Sequence, residues 1–415
     1  MPSPMPNISH SRSLPRPQAG APFSLICLLI VGWLLVSAGR GRAQPACDDG
    51  AKLPNPIFLS VGDTQVNLMK ELGAKLRQHE GITLVYRATG SCTNLDALYG
   101  DLRMTGSLSY IPDGYDPTRT PTPPTCLAAA PGVPVDIANS IVFLSGCPTP
   151  KPADVLDTLG PVQSFVFAVP RASSQRAITA EEAYFVFGFG GAGQVVPWLD
   201  PRQLYIRPTT KGTILSIAAS IGVPAGRWQG TPFNLSQDLA SQLAAAPDPE
   251  RALGILGSEV YDSLRPTLKA LAFRAYGQRR AYFPDSTESA FDKANVRDGH
   301  YHLWSYTHWL QRLDPGGQPK KPLAARVIDL LVGKTVSPPP AFEPLSSTSR
   351  VGLVPRCAMR VERSQEGGDF SLYAPDQPCG CVFEASTTGT SRCASCGVTQ
   401  PCASGVCRHG FCEER

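Results

Sequence analysis

From about residue 48 to residue 334, short apolar runs alternate with stretches of helical periodicity. The runs that predict strands are Ile57–Val61, Ile82–Tyr86, Ile141–Leu144, Ser164–Val169, Gln203–Ile206 and Ala252–Leu256. Between the first two, Val66, Met69, Leu72 and Leu76 share one face of a helix. Thr179 and Glu182 have the spacing of a capping box. They predict a helix over Ala180–Phe187, with Gly188 placed to end it. A third helix is predicted from Thr213 to Ile221, where Ile214, Ile217, Ala218 and Ile221 are apolar. Strands alternating with helices define an α/β domain.

Two segments break this rhythm. Residues 111–126 are rich in proline and threonine and read as a surface loop pinned by Cys126. Residues 336–349 read as a Pro/Ser-rich linker. Residues 350–415 then carry eight cysteines and few large apolar side chains, so this module needs bridges or metals in place of a core.

Three short turns carry the candidate chemistry: Gly62-Asp63-Thr64, Gly90-Ser91-Cys92-Thr93 and Lys211-Gly212-Thr213. Each precedes a helical pattern. A helix start has unpaired N–H groups and a partial positive charge, and small hydroxyl residues let an anion come close. Arg207, at the end of the strand before the third turn, can grip two oxygens of such an anion. The plainer reading is an ordinary strand–turn–helix connection with a solvated arginine, and periodicity alone favours it. Asp63 or Thr64 can equally be a helix cap.

Composition narrows the setting. Phe23–Ala38 is an apolar, uncharged run preceded by Arg12 and Arg16 and followed by Gly41-Arg42-Ala43, the pattern of a signal peptide over residues 1–43. Its removal lowers Lys+Arg from 38 to 34, equal to the 34 acids, so no basic surface speaks for nucleic acid or anionic lipid. No other segment could span a membrane. Of 13 cysteines, Cys27 leaves with the signal. The remaining twelve are Cys47, Cys92, Cys126, Cys147, Cys357, Cys379, Cys381, Cys393, Cys396, Cys402, Cys407 and Cys412. An even number in an oxidising compartment reads as disulfides, with the pairing left open.

Other constellations carry less. His300, His302 and His308 would suit zinc if a strand pointed the first two to one face, yet no carboxylate or cysteine ligand lies near them in sequence. Gly188–Gly193 follows a helix, where a dinucleotide fingerprint needs a strand, and reads as a flexible loop. No nucleophile elbow or His-Glu-x-x-His motif occurs. No metal, cofactor or catalysis is expected.

In order and spacing, residues 55–312 resemble the phosphate-binding-protein-like group of periplasmic solute-binding proteins. Gly62-Asp63-Thr64 and Ala88-Thr89-Gly90-Ser91 fall at that family's first two ligand turns. Asp136–Ile141 is similar to its Asp-Ile-Gly-x-Ser-Asp segment, and Arg207-x4-Gly212-Thr213 keeps the spacing of its arginine loop. Val162–Val169 is similar to the strand that crosses to the second lobe, Ile178–Gly188 to its "TxEELxxIFxG" helix, and Ala252–Ile255 to its Ala-Ile-Gly-Tyr strand.

The resemblance implies a two-lobed type II binding-protein fold over residues 44–335; the Pro/Thr loop and the small disulfide-rich module after the fold are additions to the family's pattern. Lobe one would hold about 48–165 and 262–333, and lobe two about 166–261. It implies a small anion or polar solute bound by Gly62, Asp63, Thr64, Gly90, Ser91, Thr93, Ser140, Arg207, Lys211, Gly212 and Thr213. It also implies a monomer in the periplasm or at the cell surface, with an ABC permease as partner. Three departures stand out: Ile141 replaces an aspartate, Thr209 an aspartate and Lys211 a serine. They weaken the case for protonated phosphate. They also open a rival reading, a surface interaction protein on a decayed binding scaffold.

Overall fold

A computed structural model describes residues 44–403 and 405–413. The expected signal segment, residues 1–43, lies outside the described residues.

Strand β1 (Pro56–Gly62) leads into helix α1 (Val66–His79) and returns as β2 (Thr83–Thr89). β1 and β2 run parallel in unbroken register, from Pro56↔Thr83 to Gly62↔Thr89. The apolar stripe Leu68, Met69, Leu72 and Leu76 of α1 closes over Ile57, Leu59 and Leu84, which explains why this helix lies on this face. Helix α2 (Ser91–Tyr99) follows, then β3 (Met104–Tyr110), β4 (Thr125–Val133) and β5 (Ile137–Ser140). β3 and β4 extend the sheet antiparallel beyond β2, while β5 joins β1 on its other side.

β6 (Val155–Pro170) is 16 residues long and passes from one half of the molecule into the other. Beyond it come β7 (Ala177–Thr179), α3 (Ala180–Phe189), β8 (Leu204–Ile206), α4 (Gly212–Ile221), β9 (Thr231–Pro232) and α5 (Ser236–Ala244). Next are β10 (Leu253–Gly257), α6 (Ser258–Tyr261), β11 (Leu268–Ala270) and β12 (Ala272–Arg274). The chain then returns through α7 (Ala294–Arg297) and β13 (Trp304–Arg312) to α8 (Pro322–Leu331).

The strand order is β4-β3-β2-β1-β5-β13-β6-β10-β8-β9, with β11 also on β6. β13 pairs with β6 from Val155 to Ser164, and β10 pairs with it from Phe165 to Ala168. β6 therefore belongs to both halves. We call these halves the first and second lobes of one mixed α/β fold.

Several elements differ from the sequence-based expectation. The third strand is Ile137–Ser140, not Ile141–Leu144. After Ser140 the chain turns sharply, because the Ser140 hydroxyl donates to the Val142 carbonyl at 2.7 Å. Helix α3 has the capping box at Thr179 and Glu182 but runs on through Gly188. Its C-cap is Gly190, at φ +54°, and Gly190–Gly193 is a 3-10 turn where a flexible loop was expected. His300 and His302 precede β13 and do not lie on a strand.

The segment expected as a linker over 336–349 contains helix α9 (Pro344–Arg350), and its Leu345 is buried in the core. The cysteine-rich tail is not self-standing either. Met359, Val361, Cys379 and Phe383 pack into the same core as Trp304 and Tyr306. Phe370 stacks on Trp304 at 5.4 Å, and the Arg363 guanidinium lies 4.0 Å from the Trp304 ring centre. The tail also carries α10 (Gly380–Thr388).

Six disulfides account for all twelve cysteines. Cys47–Cys126 and Cys92–Cys147 tie the first lobe. Cys357–Cys379, Cys381–Cys393, Cys396–Cys407 and Cys402–Cys412 staple the tail. Among the described residues, no helix is long and apolar enough to cross a membrane.

Candidate functional site

The three turns do converge. The chain leaves β1, β2 and β8 and enters helical turns at Gly62, Gly90 and Lys211, and no side chain caps any of the three starts. The second and third turns meet backbone to backbone. A Cβ on Gly90 would stand 2.7 Å from the Thr210 carbonyl oxygen, so only glycine fits there. The Cys92 amide donates to that same oxygen at 3.4 Å.

The positive groups at this convergence are answered by the chain itself. Asp63, from the first lobe, receives Arg207 Nη2 at 2.8 and 3.0 Å on its two oxygens. Lys211 Nζ lies 3.4 Å from Asp63 Oδ1, and the Ser236 amide at the start of α5 donates to Oδ2 at 2.9 Å. Arg207 also donates to the Asn234 carbonyl at 2.9 Å and to the Ser236 hydroxyl. Lys211 donates to the Thr89 carbonyl at 2.7 Å. An arginine fork, an ammonium and a helix N-terminus are the donors an oxyanion would use. Here they hold a carboxylate across the two lobes.

The seam is nearly dry, with Arg207 1% exposed. Burial pushes the Asp63 carboxyl up, but the Arg207 charge and hydrogen bonds, with Lys211 and the Ser236 amide, bring it below the usual carboxylate range. Lys211 is held below the usual lysine range, because its burial and the nearby Arg207 outweigh the pull of Asp63. The two partners disagree. The carboxylate gains from the contact, while the lysine bears a net cost of burial, so Arg207–Asp63 is the stabilising pair.

Ile141 fills what remains. A Cβ on Gly212 would strike Ile141 Cγ1 and come within 2.6 Å of Ser91 Oγ. Ser91 Oγ already accepts from the Ile141 amide at 3.1 Å. Thr64 and Thr213 are buried beside the turns, and Gly62 donates its amide to Asn139 Oδ1 at 3.4 Å. Ser140 spends its hydroxyl on Val142. Thr93 is exposed on α2 and stands apart from the group.

Behind the turns, Gln65 Nε2 donates to Gln163 Oε1 at 2.5 Å, and Gln163 Nε2 donates to Glu259 Oε2 at 2.8 Å. Burial, with the Asp63 and Asp262 charges, raises the Glu259 carboxyl well above its usual range.

The tail adds a second tie across the lobes. Glu366 Oε2 accepts from the Phe143 amide at 3.2 Å and from the Ser305 hydroxyl at 2.8 Å, while Oε1 accepts from the Ser216 hydroxyl. Phe143 follows β5 in the first lobe, Ser305 is on β13, and Ser216 is on α4 in the second lobe.

The histidines do not form a metal centre. His308 Nδ1 pairs with Asp157 at 2.9 Å and His300 stacks on Tyr282 at 5.1 Å. His302, held down to a pKa of about 4 by burial and then by the Arg363 charge, packs on Phe370. The sulfurs of Cys396, Cys402 and Cys412 lie close together but are all spent in disulfides.

Sequence reasoning missed Ser236, Asn234 and Glu366. Asn234-Leu235-Ser236 before an amphipathic run is a legible helix start and could have been found. Glu366 gives no local signal.

The topology is a two-lobed mixed α/β fold in which one strand serves both lobes. No protein-family model and no curated protein matches the chain. Solved structures do. A protein from Clostridium perfringens, assigned as a phosphate ABC transporter substrate-binding protein and holding phosphate, aligns with TM-score 0.48 and 11% identity over 72% of this chain and 99% of its own. An ABC-type phosphate transport receptor from Vibrio cholerae aligns with TM-score 0.45 and 15% identity over 72% and 99%. The reduced OxyR regulatory domain from Pseudomonas aeruginosa aligns with TM-score 0.38 and 10% identity over 66% and 93%. These likenesses concern the path of the backbone alone.

Proposed function

We propose that this chain is an exported, monomeric envelope protein on a solute-binding scaffold, and that it holds an envelope component instead of delivering a small anion to a permease. The observation that carries this reading is the Asp63 carboxylate seated on Arg207, Lys211 and the Ser236 amide across the lobes. An uptake receptor signals because its ligand binds the closed arrangement better than the open one. Here the chain's own carboxylate supplies that bias, and Glu366 adds to it. An external oxyanion has little left to contribute. The role is binding, without catalysis.

The second reading is an oxyanion receptor whose ligand displaces Asp63. One observation favours it: Arg207 Nε is buried with no hydrogen-bond partner among the described residues. A thermal-shift screen of the mature protein against phosphate, sulfate, molybdate and small carboxylates separates the two. A true ligand at 100-fold its Kd adds roughly 2.7 kcal/mol. We expect no shift with any of them. A shift that disappears in Arg207→Ala restores the oxyanion receptor.

A further inference from the structure

The second lobe carries an apolar face that shares no residue with the Asp63 seam. From Ala183 to Leu199 the chain has no charged residue, yet much of this stretch meets water. Phe185, Phe189, Val196 and Leu199 are 46%, 49%, 76% and 38% exposed. On α3, the rings of Tyr184, Phe185 and Phe189 form one cluster, with centres 5.3, 5.6 and 5.9 Å apart. Tyr276 adjoins the start of the same helix, its hydroxyl donating to the Ile221 carbonyl at 3.0 Å and lying 3.4 Å from that of Ala180.

The backbone holds this face in place. A Cβ on Gly191 would stand 2.9 Å from the Leu199 carbonyl oxygen, and one on Gly193 2.5 Å from that of Phe185. Glycine alone lets the loop press so closely on the end of α3. The glycine run thus fixes the Leu199 segment beside the aromatic cluster.

Size, hydrogen bonding and charge together point to one kind of partner. The exposed apolar side chains offer on the order of 350 Å², a functional patch but well short of the ~800 Å² per partner of a stable protein interface. Side chains of this stretch have little to bond with. Gln194 Nε2 is spent on the Gly191 carbonyl at 2.7 Å, and Trp198 is buried, which leaves Tyr184. A protein partner asks for about one hydrogen bond per 100–200 Å², whereas hydrocarbon asks for none.

The rim supplies the charge. Over residues 44–415 bases and acids are equal in number, but the unanswered charges here have one sign. Glu181 faces Arg274 at 3.2 Å, Asp200 faces Arg202 at 2.8 Å, and Glu182 accepts the Thr179 amide at 2.8 Å. Arg227, Arg279 and Arg280 are exposed and, among the described residues, make no salt bridge. Arg227 lies two residues from Gln229, whose amide donates to the Phe187 carbonyl of α3 at 2.6 Å. Arg279 and Arg280 lie with Tyr276 in the turn closed by Phe273 and Tyr282.

We propose that this face docks on an anionic lipid surface. Phe185, Phe189, Val196 and Leu199 enter the headgroup boundary, and the three arginines meet lipid phosphates. The inference goes beyond the function proposed above.

The test is flotation of the mature protein with vesicles of phosphatidylglycerol and phosphatidylcholine, and with phosphatidylcholine alone. We expect salt-sensitive binding to the mixed vesicles and binding at least about tenfold weaker to the neutral ones. Phe185→Ser with Phe189→Ser should lose at least about tenfold on the mixed vesicles with Tm nearly unchanged, because both rings are half-exposed. Arg279→Gln with Arg280→Gln should lose about tenfold there and leave the neutral vesicles unaffected. Leu127→Ser, a similarly exposed leucine on β4, should change nothing. No binding, equal binding to the two vesicles, or unchanged binding in the phenylalanine variant would overturn the proposal. So would self-association in sedimentation that the phenylalanine variant abolishes without any vesicle binding, which would give the face to a second copy. The oxyanion screen reads other residues, so failure here leaves the Asp63 seam as described.

Discussion

Replacing Asp63 with asparagine keeps the size of the side chain and removes its charge. In the native protein that charge faces Arg207 and Lys211, whose side chains are 1% and 11% exposed. Without it, two cations are left in a nearly dry seam. Removing one partner of a buried pair costs about 3–5 kcal/mol, because the other charge stays desolvated and unanswered. Unfolding entropy is roughly 2.1 cal/mol/K per residue, or about 0.8 kcal/mol/K for this unit of ~370 residues. The expected fall in Tm is therefore about 4–6 °C. The unanswered charges should then draw an anion from solution toward the seam. Sulfate or phosphate at about 100-fold its Kd should return roughly 2.7 kcal/mol. Differential scanning fluorimetry with and without sulfate reads both effects. Native protein under the same salts corrects for general stabilisation by sulfate. The reasoning fails if Asp63→Asn melts within about 1 °C of the native protein. It also fails if the variant responds to sulfate no more than the native chain does.

Three further perturbations address the same architecture. Glu366→Ala leaves the Phe143 amide and two hydroxyls without their acceptor, and should cost about 1–3 kcal/mol and speed hydrogen exchange at Phe143; unchanged protection there would mean the tail does not tie the lobes. Gly90→Ala drives a methyl to 2.7 Å from the Thr210 carbonyl and should destabilise by about 1–3 kcal/mol in urea unfolding, whereas Gly226→Ala, which meets nothing within 4 Å, should be nearly neutral. Relative to His302→Gln, which shares the opposite-signed contribution of the raised Glu259 carboxyl, the urea midpoint of the native protein should fall on acidification. His302 resists protonation down to about 4 against an ordinary 6.5, so stability drops across that window, by about 1–2 kcal/mol once its partial exposure is allowed for. Asp63, held below the ordinary carboxylate value of 3.8, stabilises above that value and loses its contribution as pH falls further. A native-minus-variant difference that stays constant from pH 6.5 to 4 in His302→Gln would contradict the assignment.

Local signals explain what could be read from the chain. The stripe on α1, the capping box at Thr179 and Glu182, and the three glycine turns are short-range patterns, and each lies where it was expected. Arg207 and Lys211 were legible as cations at a helix start. Their partner was not. Asp63 is 144 residues from Arg207, and nothing local shows that a residue able to cap its own helix would reach across to another. Ile141 was visible as a departure from the resembled motif, but its filling of the space beside Gly212 depends on the packing of two lobes. The tail misled for a related reason. Its scarcity of large apolar residues pointed to a free module, yet Phe370 and Phe383 find their partners in Trp304 and the common core. Periodicity measures how a segment could bury itself, not what a distant segment offers it.

Strand β6 carries one more consequence. Because its first residues pair with β13 and its last with β10 and β11, a cut near residue 165 would sever a continuous hydrogen-bonded spar. Neither half would keep a complete sheet, and the tail would lose one of the surfaces it covers. The lobes are thus not interchangeable cassettes. Recombination between such proteins would have to exchange the whole body with its tail, and variation is confined to what a single cooperative frame can absorb at its rims.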